Sequence, residues 1–193
     1  MPKKVDPQER RTLIADALMR VAAEQGLEAV SLRHVAAEAG VSAGMVQHYF
    51  RTKDEMMAFA LAVVRDRSQI RVTEAVARLG DNPSPRLLLR TMIAALLPLD
   101  EQTRSDGRVA LAFLAYTAVR PAAAAGLREE TAQLIAFIAS VLPAPNANEA
   151  AAGLLALMEG LGVYLLGGQY TAEQALSALD AHLDMIFNSA APG

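Results

Sequence analysis

The sequence contains no cysteine and no tryptophan, and its only lysines are Lys3, Lys4 and Lys53. Without cysteine there are no disulfides, no thiolate zinc sites and no cysteine nucleophile. No stretch alternates apolar and polar residues with period two, and no Asn-Gly pair marks a hairpin, so no strand is predicted. The zinc-protease motif H-E-x-x-H and the phosphate-binding Walker loop are both missing. Gly160-Leu161-Gly162 lacks the third glycine of a dinucleotide fingerprint, because Leu165 stands in its place. Metal, cofactor and catalytic constellation are therefore all expected to be absent, and the chain is not expected to be an enzyme.

What is present is helix-forming. Apolar residues make up 53% of the 193 and charged residues 20%, which excludes intrinsic disorder and allows one core or two small ones. The net charge of −3 is unevenly spread: residues 1–53 carry +2 and residues 54–193 carry −5. A cationic head on an acidic body is compatible with nucleic-acid contact through the head alone. Met1 to Asp6 has no apolar core and does not read as a secretory signal. One long apolar run, Ala150 to Gly168, approaches the ~20 residues of a spanning helix. Glu159 at its centre would cost roughly 2.5–3.5 kcal/mol in lipid, so the run reads as a helix covered on nearly all sides by protein. A cytoplasmic location is expected.

Capping signals divide the chain into nine helices. Asp6-Pro7-Gln8-Glu9 starts the first, which Gly26 ends. Ser31 opens the second, which stops at Gly40, and Ser42 opens the third, ending near Phe50. Thr52-Lys53-Asp54-Glu55 caps a long fourth helix that closes at Gly80. Ser84-Pro85 begins the fifth and Pro98 ends it. The sixth spans about Glu101 to Val119, and the seventh about Ala122 to Leu142. Asn146 caps the eighth, which Gly167-Gly168 closes, and Thr171-Ala172-Glu173-Gln174 caps the ninth. The predicted fold is all-α.

Ser31 to Lys53 holds the chemistry. Ala36 is small where two helices cross, Gly40 turns the chain, and Val41 and Val46 plug the angle between the helices. This is helix-turn-helix spacing, in which the second helix enters the DNA major groove. Met45, Val46, Tyr49 and Phe50 are expected to pack inward, leaving Ala43, Gly44, Gln47 and His48 outward. Ala43 and Gly44 permit close approach, Gln47 suits an adenine edge, and His48 can donate to a base or phosphate. Ser31, Ser42, Tyr49 and Lys53 suit phosphate, while Arg33 can reach either backbone or base. Lys3, Lys4, Arg10 and Arg11 read as a solvated start. Gly40-Val41-Ser42-Ala43-Gly44 also matches the hydrolase G-x-S-x-G elbow, but that motif needs a preceding strand, and Leu32 to Ala39 is helical in pattern.

The stretch GVSAGMVQHYFRTKDEM, the capped first helix and the count of nine resemble the TetR family of transcriptional regulators. The C-terminal half is similar to its BetI-like branch, through Leu97-Pro98-Leu99-Asp100, the Arg108–Tyr116 helix and the Gln174–Phe187 helix. The resemblance implies a DNA-binding domain at 1–54, with its recognition helix at about 43–50, and a ligand-binding and dimerisation domain at 55–193. Many members carry an aromatic where Gln47 stands, so base preference does not carry over. The family's usual role implies a homodimeric repressor on a palindromic operator, released by a small-molecule effector. The alternative is a helical ligand-binding or interaction protein that does not read DNA.

The eighth and ninth helices, at about 147–167 and 172–188, are expected to form the dimer. Gly153, Leu157, Gly160, Tyr164, Leu176, Leu179, Leu183 and Ile186 are the interface candidates. For the effector pocket that the resemblance implies, the candidates are Met92, Leu96, Phe113, Tyr116, Thr117, Phe137 and Tyr164. The few aromatics make a poor cage for a cation, so choline is not implied as effector.

Overall fold

The computed structural model describes residues 7–26, 29–120 and 125–188. Among them lie nine helices and no strand: α1 (Pro7–Gln25), α2 (Leu32–Glu38), α3 (Ala43–Tyr49), α4 (Lys53–Ala77), α5 (Pro85–Leu96), α6 (Glu101–Ala118), α7 (Ala125–Val141), α8 (Ala147–Leu166) and α9 (Ala172–Asn188). The all-α expectation holds, and most of the helix ends follow the local chemistry. Ser31, Ser42 and Ser84 each accept a backbone N–H of the first turn. Thr171 and Gln174 cap α9 reciprocally, at 2.9 and 3.2 Å. Gly26, Gly40, Gly80 and Gly168 all take positive φ just beyond helix ends. One expectation needs amending. Asn146 precedes α8 but makes no side-chain cap. The cap of α6 is Asp100, whose carboxylate accepts from the Thr103 N–H at 2.9 Å while Thr103 Oγ1 accepts from the Asp100 N–H at 3.0 Å. Those bonds hold the Asp100 carboxyl below the usual carboxylate range. Asp6, Lys3, Lys4 and the expected start of the seventh helix near Ala122 lie outside the described residues.

The chain folds as two compact units, residues 1–67 with 105–119, and residues 68–104 with 120–193. In the first, Ile14, Leu18 and Val21 of α1, Val35 of α2, Val46 and Phe50, and Met56, Met57 and Ala60 of α4 form a closed core. Complete burial of each large apolar side chain contributes roughly 1.5–3 kcal/mol. All of α6 from Ser105 onward belongs to this unit and places Val109 and Phe113 in the same core. Polar ties add to the apolar ones. Arg67 binds Asp16 at 2.7 Å and the buried Asp106 at 3.5 Å, and the Tyr116 hydroxyl donates to Asp54. Both α4 and α6 carry residues of each unit.

In the second unit, Leu89, Ile93 and Leu97 pack in one cluster with Ile138 and Leu142, with Leu154, Leu161 and Leu165 of α8, and with Leu179 and Leu183 of α9. A bidentate pair fastens α5 to α9: Arg90 donates to both Asp180 oxygens, at 2.7 and 3.1 Å. Arg86 reaches Asp184 at 2.7 Å and Asp180 at 3.6 Å. The hydrogen bonds from Arg90 lower the Asp180 carboxyl and raise the Arg90 guanidinium. A carboxylate lowered in the folded state adds stability above its unfolded pKa and loses it as pH falls through the folded value. Asp180→Asn is therefore expected to cost about 1 kcal/mol, this being a partly solvated network. Chemical denaturation should show a constant cost from about pH 8 to 5, shrinking below about pH 4. A cost that grew on acidification would contradict this.

Candidate nucleic-acid interface

The geometry of residues 31–53 starts from two serine caps and one glycine. Ser31 Oγ accepts from the His34 N–H at 3.2 Å and starts α2. The His34 ring is fixed by a 2.7 Å hydrogen bond between Nδ1 and the Ala29 carbonyl. Gly40 then takes φ +65°, and the Val41 N–H returns to the Ala36 carbonyl at 2.9 Å, which closes the C-terminus of α2. A side chain at Gly40 would meet nothing within 4 Å, so it is the left-handed backbone, not crowding, that favours glycine there. Ser42 Oγ accepts from the Met45 N–H at 3.1 Å and opens α3. Helix α2 and this capping bond lie where a hydrolase elbow would need a strand and a free nucleophile.

Val46 and Phe50 are completely buried and anchor α3. Arg33, Ser31, Ser42, Ala43, Gly44, Gln47 and His48 are exposed, while Tyr49 and Lys53 are half-buried. No described residue engages the side chain of Arg33 or Gln47. A Cβ on Gly44 would approach only Ser42 Oγ, at 3.9 Å, so internal packing does not demand a glycine at this place. The Tyr49 ring packs against the head core and meets the edge of His48 at 5.2 Å between centroids.

Two expectations fail here. Met45 does not pack inward: it is 36% exposed, because the seven residues of α3 turn only one narrow side to the core. Arg11 is only partly solvated. Its guanidinium lies 4.8 Å from the Phe59 ring centroid and 5.2 Å from that of Phe50, with Glu55 at 3.9 Å. Such a stack contributes about 0.5–1 kcal/mol where solvent reaches it. The i, i+4 spacing from Pro7 to Arg11 gives no hint of it, since both rings come from later elements.

The expected effector residues are shared between the two units. Met92 and Leu96 line a small apolar cavity of about 20 Å³ among α5, α7 and α8. Phe113 and Thr117 are buried in the first unit, where Tyr116 also binds Asp54. Phe137 and Tyr164 are 44% and 48% exposed. A more open groove of about 350 Å³ in the second unit has mixed walls, with Ala75, Ala94, Ala95, Leu97 and Leu99 beside Arg71, Glu74, Arg78, Arg90, Asp100 and Thr103.

The expected dimer residues divide in a similar way. Leu179, Leu183 and Ile186 are buried in the chain's own core. Gly153 and Tyr164 are exposed, and Leu157, Gly160 and Leu176 are half-buried. Helix α8 is long and apolar enough to cross a membrane by length and composition, yet only 22% of its apolar window is buried within the chain. One side, Ala151, Leu154, Leu161 and Leu165, faces the core. The other side, Ala152, Gly153, Ala156, Glu159, Val163 and Tyr164, is open. Desolvation by its neighbours raises the Glu159 carboxyl above its usual range. A helix covered on nearly all sides is thus not what one chain builds.

Comparison with known proteins agrees with this arrangement. Residues 14–59 match the model of the bacterial regulatory proteins of the tetR family, and residues 85–188 match the C-terminal model of BetI-type transcriptional repressors. The HTH-type transcriptional regulator PksA of Bacillus subtilis is 34% identical over 86% of this chain and 83% of its own length. The crystal structure of a transcriptional regulator from Rhodococcus sp. Rha1 superposes with a TM-score of 0.84 at 36% identity, covering 95% of this chain and 99% of that one. The multidrug binding protein EbrR, complexed with malachite green, superposes at 0.65 with 29% identity, covering 90% and 98%. The two family models and the 34% identity to PksA place this chain, with its short capped α3 and helical body, in the TetR family of DNA-binding transcriptional regulators.

Proposed function

We propose that the protein is a homodimeric repressor that binds a palindromic operator in the cytoplasm and leaves it when a small molecule binds. The observation that carries this reading is the outward face of α3, where Gln47 and His48 stand exposed beside the small Ala43 and Gly44. Gln47 reads an adenine edge, Ala43 and Gly44 admit the backbone to the groove, and Arg33, Ser31, Ser42, Tyr49 and Lys53 hold the phosphates. Lys53 is the first residue of α4, where the unpaired N–H groups of the helix add to its charge. The open side of α8 meets its symmetry mate, with Gly153 and Gly160 allowing close approach. Two heads then read half-sites spaced by about one helical turn, ~34–36 Å, or a multiple of it.

The effector lodges in the second unit, where the groove of about 350 Å³ has the volume of a small-molecule site. The malachite green complex of EbrR supports a ligand-binding role for such a body. Helices α4 and α6 carry the coupling, since each has residues in both units. Effector and operator affinities are then reciprocally linked.

Selection of randomised duplexes on the purified protein tests the reading. Enrichment of a palindrome with a steep salt dependence is the expected result, and no enrichment between ~50 and 200 mM salt would refute it. On the winning duplex, Gln47→Ala should erode discrimination at particular base pairs by ~1–3 kcal/mol. Lys53→Ala should weaken binding to every sequence and lower the salt slope by about one. Equal loss on all sequences from Gln47→Ala would remove Gln47 as a base reader.

A further inference from the structure

Among the described residues of α3, the first turn is Ala43, Gly44 and Met45, and all three are exposed. Val46 is the one buried residue of that helix. At 3.6 residues per turn, Met45 lies away from the Val46 side and is the i, i+3 neighbour of the exposed His48. Its backbone N–H is already taken by Ser42, so the side chain alone is available to a partner. Single exposed apolar residues are ordinary on most surfaces. This one stands on the first turn of the recognition helix, the turn that approaches base edges when such a helix docks.

The chemistry of the groove narrows the partner. Major-groove edges of bases present hydrogen-bond donors and acceptors, with one apolar group among them, the thymine C5-methyl. A methionine has neither a donor nor a strong acceptor to offer. It has an unbranched, polarizable chain with three rotatable bonds, which reaches further toward a methyl group than the single carbon of Ala43. We infer that Met45 is a specificity-determining residue that packs on the C5-methyl of one thymine in each half-site. The inference rests on the DNA-reading function proposed above and adds an apolar contact to the polar reading by Gln47.

The test exchanges each thymine of the selected operator for deoxyuridine, which removes the methyl and leaves the hydrogen-bonding edge unchanged. Wild-type protein, Met45→Ala and Met45→Leu are titrated against each duplex. Methionine and alanine are both strong helix formers and the site is exposed, so the melting temperature should not move. At one position per half-site, methyl removal should weaken wild-type binding about fourfold, the equivalent of one buried methylene. The same exchange should not change binding by Met45→Ala, and Met45→Leu should restore most of the sensitivity. Equal penalties for wild type and Met45→Ala at every thymine would overturn the inference while leaving the DNA reader intact. So would a complete absence of any methyl penalty. Failure of the wild-type protein to select any duplex would overturn both.

Discussion

Phe50→Ala is expected to destabilise the protein by about 3–5 kcal/mol and to abolish operator binding. The ring is completely buried, and its centroid lies 5.4 Å from that of Phe59. Its backbone N–H ends α3 on the Val46 carbonyl at 2.9 Å, and the Arg11 guanidinium lies over its face. Truncation removes the transfer free energy of the ring and leaves a cavity between α1, α3 and α4 that these helices close only in part. Total stabilities are about 5–15 kcal/mol, so the loss is a large fraction of what holds the head together. At roughly 2–4 °C per kcal/mol for a chain of this size, the melting temperature should fall by about 10 °C. The effect on DNA follows from length: seven residues are far below the ~12–15 at which an isolated helix is even marginal. Helix α3 holds its shape only because Val46 and Phe50 anchor it. Thermal melts together with operator titration below the melting temperature check this. A variant that melted with wild type and bound the operator normally would show that the anchor is dispensable.

If α8 forms the proposed dimer contact, Ala156→Arg should leave the protein monomeric without unfolding the chain. Ala156 is exposed on the open side of α8, between Gly153 and Glu159. In a single chain the substitution meets solvent and should stay within about 0.5 kcal/mol of neutral. In a two-fold interface the change is made twice, and each guanidinium enters an apolar surface beside its mate. An uncompensated buried charge costs about 3–5 kcal/mol, so the dimer dissociation constant should rise at least a hundredfold. Operator affinity should fall with it, because a monomer brings one recognition helix to a two-part site. Sedimentation velocity gives the oligomeric state and circular dichroism confirms that the helices persist. A variant that remained dimeric with full operator affinity would rule out α8 as the contact.

Helix ends were legible because their signals are local. A serine accepting the N–H three residues on, or a glycine turning left-handed after the last turn, needs only a few adjacent residues. For this reason Ser31, Gly40, Ser42 and Thr171 can be placed without knowing what they pack against. The recognition turn belongs to the same class: Ala36, Gly40, Ser42 and Val46 lie within eleven residues, and their spacing states the geometry. Base-facing polar residues followed, since on a regular helix Gln47 lies about 100° and His48 about 200° away from the buried Val46.

The misread positions depend on partners distant in sequence. Arg11 reads as a surface cation until Phe50 and Phe59 converge over it. Met45 reads as core because apolar residues usually are, whereas a seven-residue helix has room to bury little beyond Val46. Phe113, Tyr116 and Thr117 are placed in the body by the resemblance alone, and the sequence gives no sign that α6 from Ser105 onward packs in the first unit. For α8 the apolar pattern could not say which side the chain's own core takes; that side is Ala151, Leu154, Leu161 and Leu165.

By itself, then, the sequence determined the all-helical class, most of the helix boundaries and the polar face of α3, because capping and 3.6-residue periodicity act over a few residues. Only the tertiary structure decided which apolar side chains are buried, how α6 is shared between units, and where the cavities lie. Burial is a property of packed surfaces, and which surfaces meet depends on contacts between residues up to about a hundred positions apart, such as Arg86 with Asp184.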